Sequence, residues 1–521
     1  MSGGFKRAVL TALAVITALT AVLAAGGCKK KEAEKYPRVN IAPPSLTPQP
    51  EPGDDGREIK FTVNHTLSSY MVVQRNSYFN VFGTAETDGG VIYGEFMEEQ
   101  RYAVVNKDGT WAMQFSSHEA TAEPQQLRLY TTHGEEQELI NILVGDVWVI
   151  SGQSNAELNL AGPLTKTPDY VNEITAADNI RIFRQTRQAV MDAQEAETID
   201  VTKPQDDVTD KSWHWERTTV QSTAAFTAIG YYFAKELSRT VDVPLGIVMA
   251  ASGGSTLHEL MPVDLAKSLG FTTGAAVPMG GFYNTLLHPF TRNSITGMIF
   301  YQGESECAGG QYVNYARNLA RTVEAYRKAW KLEFPFINIQ LSSHLGEGTL
   351  YWPELPRLRT AQFDAYRQIP NSYIVTSMDQ GWQKGDPDWA HPLYKYELGK
   401  RAAKIAAYVS YGQGSEDYAL APEPDKITWN DGKTVTIKFK HVGDGLKLMT
   451  GDKIKGLTIV DEYGDRLATE AEFIDGSTIK LTTFSTDAKA VAYCLDQDGA
   501  PDNANLANSE GIPMPAFLIY R

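Results

Sequence analysis

Ser154 stands in the stretch Val149-Ile-Ser-Gly-Gln-Ser-Asn-Ala156, just past an apolar run over residues 147–150 that reads as a buried strand. A serine hydroxyl is a poor nucleophile until an adjacent base takes its proton, and a neutral imidazole suits that work near pH 7. The matching pair lies downstream in Asp388-Trp-Ala-His391-Pro392. Asp388 and His391 are three residues apart, so one turn presents both side chains. The acid then holds the tautomer of the base and stabilises its imidazolium form. Pro392 is expected to start a helix over residues 393–410 that fixes the loop. His288 competes for the role of base, and Asp379 and Asp386 compete for that of acid. A tetrahedral intermediate also needs donors aimed at its oxyanion. The candidates are the backbone N–H of Ser154, that of Gly253 (with Gly254 as its alternative) and the side-chain amide of Gln302. Together these residues are the inventory of acyl transfer.

Their positions follow from the elements that must carry them. Five apolar segments, at residues 147–150, 245–250, 296–301, 336–341 and 373–376, read as central strands. Helical patterns lie between them at residues 224–239, 312–331 and 355–367. Buried strands alternating with amphipathic helices predict a mostly parallel, doubly wound α/β sheet. In such a sheet ligands bind beyond the carboxyl ends of the strands. Each candidate follows a predicted strand: Ser154 the first, Ser252-Gly253-Gly254-Ser255 the second, Gln302-Gly303-Glu304 the third, and the Asp388–His391 pair the fifth. Taken singly, the Gly-Gln-Ser-Asn stretch is also an ordinary turn, the glycine pair a strand exit, and the acid–base pair a helix cap.

The flanks have a different texture. Residues 58–143 contain short strands with Asp-Gly turns, which predicts an antiparallel β domain. Similar β texture returns over residues 413–521, so β-sandwich-like regions are expected on both sides of a catalytic domain at residues 144–412. Residues 29–57 form a Pro-rich linker that cannot bury a core. Residues 1–28 open with Lys6-Arg7, continue with an apolar run and end at Ala25-Gly-Gly-Cys28, the pattern of an export signal. The small residues before Cys28 resemble a bacterial lipoprotein signal. Cys28 would then bear the lipid, and the expected location is a membrane anchor at the periplasm or the cell surface. Cys307 and Cys494 remain, either as one disulfide or as two buried thiols. The net charge of −15 argues against a nucleic-acid partner, whose phosphates call for a clustered basic face. No paired-Cys or His-Glu-x-x-His site suggests a metal, and no cofactor is expected.

The motifs are specific in combination. Met71-Val-Val-Gln-Arg75, Val144-Gly-Asp-Val-Trp-Val-Ile-Ser-Gly-Gln-Ser-Asn155, Gly253-Gly-Ser255, Phe300-Tyr-Gln-Gly-Glu-Ser305, Asp388-Trp-Ala-His-Pro392 and Asn505-Leu-Ala-Asn-Ser-Glu-Gly511 run from about residue 65 to the C-terminus. On these the chain resembles the sialate O-acetylesterases, carbohydrate esterases of the SGNH-hydrolase superfamily. The resemblance implies an SGNH-type three-layer α/β/α domain and metal-free hydrolysis of an acetyl ester on a sugar, 9-O-acetylated sialic acid first. It implies Ser154 as nucleophile, His391 as base and Asp388 as its acid, with Ser154, Gly253 and Gln302 in the oxyanion hole. Glu304 and Asn155 are expected just behind these groups, and Trp382 and Trp389, with Trp352, are candidate sugar platforms. The chain departs from the family pattern at Ala156, Phe300 and Ser255, where Met, Trp and Thr are usual. An esterase for acetylated xylan is the neighbouring reading, and a non-catalytic carbohydrate-binding lipoprotein the alternative from another class.

Overall fold

Seventeen consecutive residues, Glu136–Gly152, form one strand whose character changes along its length: alternately exposed at first, then buried without interruption from Ile142. A strand solvated on one face alternates, whereas one covered on both faces does not. The computed structural model describes residues 58–165, 179–343, 354–381, 390–430, 433–463, 465–495 and 504–521. Within them the strands up to this point are β1 (Phe61–Val63), β2 (Val72–Gln74), β3 (Phe79–Ala85), β4 (Val91–Phe96), β5 (Glu99–Val104), β6 (Thr110–Phe115), β7 (Thr121–Tyr130) and β8 (Glu136–Gly152). Strands β1, β3 and β6 make a small antiparallel sheet, while β4, β5 and β7 join the first half of β8.

The second half of β8 is the centre of the parallel sheet. Its flanking strands are β9 (Ile180–Arg184), β10 (Trp215–Arg217), β11 (Leu245–Ala251), β12 (Gly297–Tyr301), β13 (Phe336–Gln340) and β14 (Ser372–Thr376), in the order β10-β9-β11-β8-β12-β13-β14. Only the pair β9–β10 in this series is antiparallel. The five expected central strands are all present. The sequence reading passed over β9 and the three-residue β10, which lie at one side of the sheet. Helices Ala228–Ser238 and Tyr396–Tyr411 pack together on the sheet, as do helices Tyr312–Trp330 and Leu355–Gln368, giving three layers, α/β/α. The last sheet-adjacent helix begins at Tyr396 rather than directly after Pro392. The intervening residues fold back so that the Lys395 ammonium reaches the Pro392 carbonyl at 2.5 Å.

Two of the motifs singled out above meet at the base of β8. Asp146 is fully buried and accepts hydrogen bonds from Gln74 Nε2 at 2.8 Å, Arg75 Nε at 3.0 Å and Thr296 Oγ1 at 2.9 Å. This carboxylate fixes β2 and the start of β12 against the central strand. Beyond the parallel sheet, four-stranded antiparallel sheets are built from residues 423–483 and 457–520. Gln340, at the end of β13, donates to the Ala516 carbonyl and accepts from the Ala516 N–H, at 2.9 and 2.8 Å. The C-terminal strands are thereby tied to the central sheet. Cys307 and Cys494 are both buried, and no disulfide joins them.

Candidate active site

The strand exits bring Ser154 and His391 together. Gly152 ends β8 with φ +130°, and a Cβ there would stand 2.0 Å from the Tyr301 carbonyl oxygen, so the tight exit demands glycine. Gln153 then donates its N–H to that same carbonyl at 2.9 Å, and Ser154 opens the one-turn helix Ser154–Glu157. The Ser154 Oγ lies 2.8 Å from His391 Nε2, within the reach that proton transfer requires. His288, the competing base, is elsewhere and bonds the Gln205 carbonyl through Nδ1 at 3.0 Å. Asp379 is held by Arg401, at 2.7 and 2.5 Å, and is not the partner of His391 in this arrangement. Asp386 and Asp388 lie outside the described residues, as do Trp352, Trp382, Trp389 and Cys28.

Behind the pair is a buried polar network. Asn155 Nδ2 donates to Glu304 at 2.5 Å and to the Ala390 carbonyl at 3.2 Å, while Asn155 Oδ1 accepts from Lys395 Nζ at 2.6 Å. One amide thus connects the nucleophile's helix to the loop that carries His391. Burial pushes the Glu304 carboxyl up, and the Asn155 hydrogen bond together with the charges of His391 and Lys395 pulls it back. Gln153 adds a second connection: its Oε1 receives the N–H groups of Gly303 and Ser305 at 3.2 and 3.3 Å.

Two of the three expected oxyanion donors are engaged. Gln302 is fully buried. Its Nε2 donates to the Glu306 carboxylate at 2.5 Å and lies 3.2 Å from the Ser255 carbonyl and 3.3 Å from Gln153 Oε1. Its Oε1 accepts from the Tyr315 hydroxyl at 3.0 Å. In this arrangement the hydrogens of the amide are turned toward Glu306, whose carboxyl burial pushes up to about 7. The Gly253 N–H donates to Glu157 Oε2 at 2.6 Å. The Ser154 N–H, at the first position of its helix, has no intrahelical acceptor and no partner among the described residues. The Gly254 N–H, weighed as the alternative to that of Gly253, also makes no bond among the described residues. The arrangement offers a base-activated hydroxyl beside backbone donors, the elements of acyl transfer.

Glu157, Arg187, Glu306 and Lys395 were missed from the sequence. Glu157 alone carried a usable signal, since i and i+3 positions share one helix face and place it beside Ser154. Glu306 lies just beyond the Gln302-Gly-Glu304 stretch, whereas Arg187 reaches the site from a distant segment.

The family model for carbohydrate esterases, sialic acid-specific acetylesterase, matches residues 144–407, just over half of the chain. Human sialate O-acetylesterase is 23% identical over 319 residues, covering 55% of this chain and 57% of that protein. The Pongo abelii sialate O-acetylesterase matches to the same extent. The chain thus spans a little over half the length of these curated relatives. A crystal structure of a carbohydrate acetylesterase from Xanthomonas citri superposes with a TM-score of 0.75 at 26% identity, covering 88% of this chain and 99% of that one. By the extent of the family match, the chain belongs to the carbohydrate esterase family of sialic acid-specific acetylesterases.

Proposed function

We propose that this protein is a serine-dependent carbohydrate O-acetylesterase that removes acetyl groups from sugar hydroxyls, with 9-O-acetylated sialic acid as its substrate. The observation that carries the reading is the 2.8 Å contact between Ser154 Oγ and His391 Nε2 at the carboxyl edge of the parallel sheet. Membership of the family supports the substrate class. In the proposed reaction Ser154 Oγ attacks the acetyl carbonyl carbon while His391 Nε2 takes the hydroxyl proton. The oxyanion forms against the Ser154 N–H and a backbone N–H of the Gly253-Gly254 turn. Collapse breaks the bond to the sugar oxygen, which leaves with the proton from His391. A water, activated in turn by His391, attacks the acetyl-serine and releases acetate. Asp388 is assigned as the acid that orients His391, on its position three residues upstream. Trp382 and Trp389 are proposed sugar contacts. The chain is also proposed to be an exported lipoprotein, anchored through Cys28.

The test is acetate release from 9-O-acetylated sialic acid and from acetylated xylan by the soluble chain, beside a Ser154→Ala control. The expected result is release from the sialic acid that falls by about four orders of magnitude or more in the control, as for other activated serine nucleophiles. Release from xylan alone would keep the mechanism and move the substrate. Sugar binding without release by folded protein would overturn the enzymatic reading.

A further inference from the structure

Glu157 sits where a reaction participant belongs. Its carboxylate takes the Gly253 N–H at 2.6 Å, and a methyl group added to Gly253 would stand 2.9 Å from that carboxylate and 3.6 Å from the Ser154 Cβ. The donor next to the nucleophile is therefore filled by a carboxylate from the nucleophile's own helical turn. Arg187 completes the clamp: its Nη1 donates to the Gly253 carbonyl at 2.5 Å.

The second product of an acetyl ester hydrolysis is acetate, whose carboxylate offers the same two acceptor oxygens as a glutamate side chain. A neutral ester carbonyl is not repelled by Glu157, whereas acetate is. We infer that Glu157 is a specificity-determining residue that competes within the molecule for the acyl-oxygen position and so keeps product acetate out of the site. The inference rests on the proposed esterase reading. In the cycle, the substrate's acetyl group exchanges with the Glu157 carboxylate at the backbone donors, and the carboxylate returns as acetate departs. No bond to Glu157 forms at any stage.

The experiment is a titration of the full chain with ¹³C-labelled acetate, read by NMR line broadening, alongside acetate inhibition of 4-nitrophenyl acetate hydrolysis. Wild type, Glu157→Ala and Glu157→Gln are compared after circular dichroism shows that each is folded. The expected result is that Glu157→Ala binds acetate at least about tenfold more tightly than wild type, the effect of losing one like-charge contact near a protein surface. Its inhibition constant for acetate should fall by the same factor. Glu157→Gln, which keeps an acceptor but loses the charge, should gain less, and it carries the test if the alanine variant does not fold. Acetate binding unchanged or weakened in the folded variants would overturn the inference. A wild-type chain without hydrolytic activity would instead defeat the esterase reading, and the acetate titration would still decide the role of Glu157.

Discussion

Asn155 makes three contacts with one side chain, and each is to a different partner of the site. Replacing it by alanine leaves a buried carboxylate and a buried ammonium without the amide between them. Losing a hydrogen-bond partner of a buried charged group costs about 2–3 kcal/mol, so Asn155→Ala should lower the midpoint of thermal unfolding by several degrees. It should also reduce kcat on 4-nitrophenyl acetate more than it raises KM, because the loop carrying His391 loses its tie at Ala390. Both are read from one melt and one kinetic series. Ser154 and His391 were legible because nucleophile and base each follow a predicted strand, where topology alone brings them together. The acceptors that Gln302 and Gly253 meet were not, since a residue type does not say which acceptor is nearest. Glu306 and Glu157 turned both donors in directions that only packing decides.

At the level of elements, long apolar runs announced the central strands, because burial on both faces leaves no polar alternation to obscure them. Strands β9 and β10 escaped: β10 has three residues, and its pattern of one buried position gives periodicity nothing to act on. The segment between β9 and β10 is instead secured by side chains. Asp207 accepts from the His65 N–H at 2.9 Å and pairs with His65 Nδ1 at 2.7 Å, and Lys211 Nζ approaches at 2.8 Å. Burial alone would push its carboxyl up, yet these hydrogen bonds and charges hold it at about 2, below its ordinary 3.8. A depressed carboxyl contributes stability above its unfolded pKa and loses it as pH falls through the folded one. The Asp207→Asn variant should therefore melt below wild type at pH 6. The gap should narrow from pH 4 downward and close near pH 2. A gap that stays constant over that interval would remove Asp207 from the account.

Over the whole molecule, the described residues from 58 onward belong to one compact unit, and the C-terminal strands join it through Gln340 and through Arg359, whose Nη2 donates to the Cys494 carbonyl at 3.2 Å. The late motif Asn505-Leu-Ala-Asn-Ser-Glu-Gly511 belongs to this joint rather than to the chemistry: Asn508 donates to the Leu420 carbonyl at 3.1 Å and accepts from the Ile512 N–H at 2.9 Å. A sequence motif marks what a fold cannot change, and here that is a junction as well as a site. The proposed anchor makes a prediction at the same scale. Expressed in a bacterium, the full chain should partition with membranes and incorporate labelled palmitate, and Cys28→Ala should abolish the label. Label retained in that variant would remove Cys28 from the anchor.

The single strand β8 has a consequence for how the chain is made. Its N-terminal half is satisfied by β7, a few residues earlier, whereas the Asp146 end of its parallel half pairs with Leu245 of β11, 99 residues later. A ribosome therefore delivers a finished sheet with a bare, mostly apolar ribbon protruding from it, and the ribbon waits while about a hundred residues follow. Long-range parallel pairing is slow and leaves such edges open to other chains. During synthesis, the strand that later leads into the nucleophile is thus an edge that invites other chains.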